Sequence, residues 1–199
     1  MSFRRLLPLV LTLLASVFSQ VASADSAAQG FIREQQQKLT SALKNNSDSD
    51  IDSIFAEMID YDTIARDSLG KVWSQLTEAQ QAEFSCVLKQ LVAQAYRRDL
   101  KKTLDYQVTF QGEEAKGDRV LVKTVAKNTK NPGEDPVSID YLLHKVGGKW
   151  RVRDIRTEGV SLVGSYNNQF RKMIKKKGFG ELISRMRSKL EAPAEDCSS

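Results

Sequence analysis

The chain is poor in the residues from which reactive centres are built. Its 199 residues include one histidine, His144, and two cysteines, Cys86 and Cys197. One imidazole and two distant thiols cannot supply a typical zinc ligand set. The stretch "SDSDIDS" (47–53) resembles a calcium loop only superficially, because it lacks that motif's central glycine and closing glutamate. There is no P-loop and no G-x-G-x-x-G turn. Beyond the first residues, no apolar run is long enough to span a bilayer. Charge of one sign is also scarce. The formal net charge is +5, and it falls to +3 once residues 1–24, with Arg4 and Arg5 and no acid, are set aside. So mild an excess gives no reason to expect a nucleic-acid partner.

What is present begins with a leader. "MSFRRLLPLVLTLLASVFSQVASA" has two arginines, an apolar stretch and a small-residue Ala22-Ser23-Ala24 end. That pattern predicts a signal peptide over residues 1–24 and a mature start at Asp25. Retention as an anchor is the alternative, and no cysteine at the cleavage point offers a lipoprotein site. One domain is expected over 25–191 and a disordered tail over 192–199. Cys86 lies in an apolar helical pattern and Cys197 in the polar tail. They read as a buried thiol and a free one, or as a bridge that an exported compartment permits.

Residues 26–44 carry Phe31, Leu39 and Leu43 among polar residues, which predicts a surface helix with a narrow apolar stripe. Ile51, Ile54, Phe55, Met58 and Ile59 recur at helical spacing. Asp60 or Asp62 then starts a short helix that Gly70 can end. "TEAQ" (77–80) is a capping box that opens the longest helix. The period then changes to two. Four strands are predicted near 106–111, 119–128, 137–145 and 150–158, and two more helices near 160–177 and 179–190. Helices followed by an antiparallel meander make an α+β fold, with helices packed over one sheet face.

The best enzymatic case combines Ser161, His144 and Asp154. "GVSLVG" (159–164) is one residue too long for the G-x-S-x-G turn that exposes a nucleophile. Ser161 stands where a helix cap belongs, and His144 ends a strand beside Lys145, the setting of a solvated histidine. The basic run "FRKMIKKKGFG" (170–180) is a solvated helix face or a docking patch for anionic surfaces. Apolar residues on facing layers remain: Tyr106, Ile139, Tyr141, Trp150 and Val152 on the sheet, and Trp73, Phe84, Leu88, Leu91, Val160, Val163 and Phe170 on the helices. The periodicity of a packed core and of a lined cavity is the same.

The stretch from Trp150 through Asp154, Glu158, Gly159, Val160, Ser161, Leu162, Tyr166, Gln169, Phe170, Gly178, Leu182 and Ile183 resembles the signature of the MlaC, or toluene-tolerance, family. Ala65, Leu69, Gly70, Trp73, Thr77, Gln80 and Phe84 extend the resemblance upstream. Where the family usually has an arginine after the tyrosine, this chain has Asn167. The resemblance implies a curved sheet wrapped by helices, similar to cystatin-like and nuclear-transport-factor-like folds. It implies a periplasmic, non-enzymatic phospholipid carrier, a monomer without cofactor. Its implied partners are an outer-membrane lipoprotein–porin complex and an inner-membrane ABC transporter with an MCE-domain ring, and its role is to maintain outer-membrane lipid asymmetry. The apolar residues named above, with Tyr166, are then expected to line the lipid cavity. Each buried methylene is worth about 0.8 kcal/mol, so one long chain supplies roughly 10 kcal/mol without any strong polar site. A periplasmic ester hydrolase and a ligand-free adaptor with a filled core are the other readings.

Overall fold

A computed structural model describes residues 26–191 and Cys197. The leader expected over 1–24 and the rest of the tail expected over 192–199 lie outside the described residues. Four helices lead: α1 (Ala27–Lys44), α2 (Asp48–Met58), α3 (Tyr61–Leu69) and α4 (Glu78–Leu100). Three of the four starts carry a side-chain cap. The Ser26 hydroxyl accepts from the Gln29 amide at 3.2 Å, and of the two acids offered by the sequence it is Asp60 that caps α3, accepting from Thr63 N at 2.9 Å. The capping box closes both ways, Thr77 N to Gln80 Oε1 at 3.0 Å and Gln80 N to Thr77 Oγ1 at 3.2 Å. Gly70 ends α3 at φ 55°, ψ −126°, a conformation that suits glycine.

After a short turn, Lys101–Asp105, the chain forms β1 (Tyr106–Lys116), β2 (Arg119–Asn128), β3 (Val137–Val146), β4 (Lys149–Thr157) and the two-residue β5 (Val160–Ser161). They pair in sequence order as one antiparallel sheet. The fold is the expected α+β meander, with β5 as a fifth strand. Register shifts mark bulges at Gln111 in β1 and, opposite Leu142/Leu143, at Arg153 in β4, and bulges bend the strands that carry them. The last helix, α5 (Leu162–Arg187), breaks at Gly178 (φ 83°, ψ 170°), so two helical pieces meet there as the sequence predicts.

The helices cover one face of the sheet. Phe84, Val87, Leu88, Leu69, Val122, Leu143 and Val152 are fully buried in a common cluster. Full burial of side chains of this size is worth about 1.5–3 kcal/mol each. Phe84 meets the Phe170 ring edge-on with centroids 5.6 Å apart, and Tyr166 stacks on Phe170 at 5.3 Å. Cys86 and Cys197 form a disulfide across 111 residues, with Cα atoms 5.8 Å apart. The free-thiol reading therefore gives way to the bridge. Gln94 helps bring the sulfurs together by donating to Lys189 O at 3.0 Å and accepting from Glu191 N at 2.8 Å, which lays the chain after α5 along α4. Among the described residues no helix is long and apolar enough to cross a membrane, and no cluster of potential metal ligands forms.

Candidate functional site

Two concavities stand out. The larger, about 1020 Å³, lies between α2 and α4 beside the disulfide, and Asp52, Lys89, Arg97 and Glu191 line it together with Phe55 and Tyr61. Its charged lining does not suit a wholly apolar guest.

The second, about 690 Å³, lies between α1 and the sheet. That is within the ~300–1,000 Å³ of small-molecule sites. Tyr106, Val108 and Phe110 of β1, Ala126 of β2, and Val137, Ile139 and Tyr141 of β3 form its floor. Strand alternation brings them to one face, since residues two apart share a side. The α1 wall supplies Leu39 and Leu43 at i, i+4 and a polar row of Arg33, Gln36, Gln37 and Thr40. The wall's polar groups have local work. Thr40 Oγ1 donates to Gln36 O at 2.8 Å, and the Gln36 side chain hydrogen-bonds the Tyr141 hydroxyl. Burial beneath this wall pushes the Tyr141 phenol above its ordinary value, partly offset by that bond.

The sequence-derived candidates divide. Tyr106, Ile139 and Tyr141 meet in this cavity. Phe84, Leu88, Val152 and Val163 are buried in the packed cluster, and Trp73, Leu91, Trp150, Tyr166 and Phe170 pack against it. Val160 is 63% exposed. The expected helical stripe from Val160 to Phe170 starts later, because Val160 pairs with Thr157 in β5 and the helix begins at Leu162. Sequence reasoning missed the α1 wall as part of a site, along with Thr103, Val108, Phe110, Ala126 and Val137. The signal was present in the Leu39/Leu43 stripe and in the alternation of β1 and β3.

Ser161, His144 and Asp154 form no triad. Ser161 Oγ accepts from Gly164 N at 2.9 Å and caps α5. The Asp154 carboxylate accepts from Val163 N at 3.1 Å, a second anion-bearing support at the same helix start. His144 Nε2 lies 2.7 Å from Asp60 Oδ2, and both side chains are largely buried. The solvated histidine expected from its strand-end position is corrected by this pairing, since the junction of α2 and α3 reaches across to β3. Asn167, at the position where the resemblance expects arginine, donates from Nδ2 to Asp67 O at 3.2 Å near the end of α3. Within the basic run of α5, Lys177 pairs with Glu181 at 4.0 Å.

The sequence profile of the MlaC protein family matches residues 25–188. The fold is similar to the solved structure of a phospholipid-binding protein from Ralstonia solanacearum in complex with a phospholipid, with a TM-score of 0.71. The two are 24% identical, and the match covers 81% of this chain and 95% of that one.

Proposed function

The chain belongs to the MlaC family, and from that premise we propose that it is a phospholipid carrier that holds acyl chains in the cavity between α1 and the sheet. The observation that carries the reading is the floor of that cavity: seven sheet residues, from Tyr106 to Tyr141, that are apolar or aromatic and open to a space of about 690 Å³. An α+β domain that merely filled its interior would have no use for this trough. Tyr106, Ile139 and Tyr141 contact the hydrocarbon. The aromatic cluster of Phe84, Tyr166 and Phe170 is the packed base against which the carrier keeps its shape.

The wider role follows family membership. In this reading the protein works in the periplasm and passes phospholipid between an outer-membrane lipoprotein–porin complex and an inner-membrane MCE-domain ABC transporter. Binding energy at those docking surfaces opposes the roughly 10 kcal/mol that holds a long chain, so release is a population shift driven by the partner. A hydrolytic role has less support, because the Ser161 hydroxyl serves as a cap.

Organic extraction of the purified protein followed by mass spectrometry is expected to yield stoichiometric phospholipid. Ile139→Glu, or the more exposed Val108→Glu, places a carboxylate in the trough and is expected to empty it while circular dichroism stays native. Lipid-free wild-type protein that also fails to take up phospholipid from vesicles would sink the carrier reading in favour of an adaptor.

A further inference from the structure

The outward face of α5 carries charge of one sign. From Leu162 to Gly180 the chain holds Arg171, Lys172, Lys175, Lys176 and Lys177 and no aspartate or glutamate. Residues four apart share a side of a helix, so Arg171 with Lys175 and Lys172 with Lys176 form two adjacent rows. All four are exposed, and the exposed Asn168 and Gln169 complete the face. Val163, Phe170, Met173 and Ile174 turn the other way, into the core cluster. At 1.5 Å per residue the four cations span about 7.5 Å of helix axis, close to one Debye length at physiological salt. They act on an approaching surface as one field.

Carboxylates on α3, α4 and α5 have other partners: Asp67 pairs with Arg153, Glu83 with Arg187 at 2.8 Å, and Glu181 with Arg185 at 2.7 Å and Lys177 at 4.0 Å. Among the described residues none forms an ion pair with Arg171, Lys172, Lys175 or Lys176. The pattern does not serve the helix itself, since like charges at i, i+4 cost helix stability. Lys175, Lys176 and Lys177 precede the break at Gly178 and suit the dipole of the piece they end. Arg171 and Lys172 lie a turn earlier, outside the last turn in which that effect acts.

We propose that this face of α5 docks on an anionic phospholipid surface. A lysine-rich face with no apolar residue at its centre lacks the buried anchors from which protein interfaces draw affinity. It also has no aromatic ring between its rows on which nucleic-acid bases could stack. A plane of anionic headgroups needs neither, because several cations bind it by summed electrostatics. The apolar residues of α5 are already committed to the core, so the contact is peripheral and without insertion. α5 supplies no wall of the trough, so the assignment holds whatever the trough contains.

The test is cosedimentation of the purified protein with lipid vesicles. Vesicles of mixed phosphatidylcholine and phosphatidylglycerol are expected to bind wild-type protein at low salt, and vesicles of phosphatidylcholine alone to leave it in solution. Salt at about 1 M, which confines each charge to ~3 Å, is expected to release it. Each cation at such a surface is worth about fivefold in binding, so Lys172→Gln with Lys176→Gln is expected to weaken it roughly 25-fold. Lys127→Gln with Lys149→Gln removes the same charge from exposed sites on β2 and β4. That pair lies off the face and is expected to stay within about twofold of wild type. Circular dichroism confirms the fold of each variant. Equal binding to the two kinds of vesicle, or equal losses in the two double variants, overturns the docking face. Wild-type protein that ignores anionic vesicles also overturns it, and binding to polyglutamate instead would make the partner an acidic protein.

Discussion

Gly70 and Asn167 show how closely two helices approach in this fold. Gly70 sits at φ 55°, and a Cβ built on it would lie 2.8 Å from Asn167 Nδ2. That amide is the one that donates to Asp67 O. Asp67 in turn pairs with Arg153 Nη2 at 2.5 Å, which joins α3 to β4. Gly70→Ala therefore adds backbone strain and displaces a helix-ending hydrogen bond. We expect it to cost about 1–3 kcal/mol in urea unfolding. A variant as stable as wild type would show that the contact yields freely. The asparagine that departs from the family's usual arginine thus has a structural task of its own, reached through the α3–α5 contact.

The junction between α2 and α3 is fastened to the sheet by Asp60. Its main-chain N–H donates to Val152 O at 2.9 Å, and its carboxylate meets both Thr63 and His144. Burial by itself would push the Asp60 carboxyl up, but hydrogen bonds from the Thr63 side chain and amide and from His144 outweigh it and hold the group below its ordinary value. A depressed carboxyl stabilises the folded state above its unfolded pKa of about 3.9, and that stability is lost as pH falls through the lower folded value. Asp60→Asn keeps an N-cap and removes the charge. We expect it to cost about 1 kcal/mol near neutral pH, with the gap to wild type narrowing below about pH 4. Equal stability curves across that range would refute the link. Caps, the Gly178 break and the strand alternation are legible in the sequence because each depends on neighbours within a few residues. The Asp60–His144 tie is not, since its partners lie 84 positions apart.

Across the whole molecule the disulfide has the longest reach. It closes a loop of 111 residues, and constraint of the unfolded chain by a loop of that length is worth up to about 5 kcal/mol. Reduction, or Cys86→Ser, is therefore expected to lower the thermal midpoint clearly. An unchanged midpoint would mean that the bridge serves only to hold the tail. The sequence offered both thiols but not their meeting, which depends on where α5 delivers the chain.

The amino-acid order by itself determined the fold class, the sequence of elements and the apolar identity of the sheet's inner face, because helical and strand periods are local properties. It also carried the family resemblance. Only the tertiary structure decided which apolar residues close on one another and which open on a space. Val152 and Ile139 both stand at alternating strand positions, yet one is packed in the common cluster and the other lines a trough under α1. The difference lies in how far each covering helix stands from the curved sheet. That distance is set by the joint packing of elements remote in sequence, so no local period contains it.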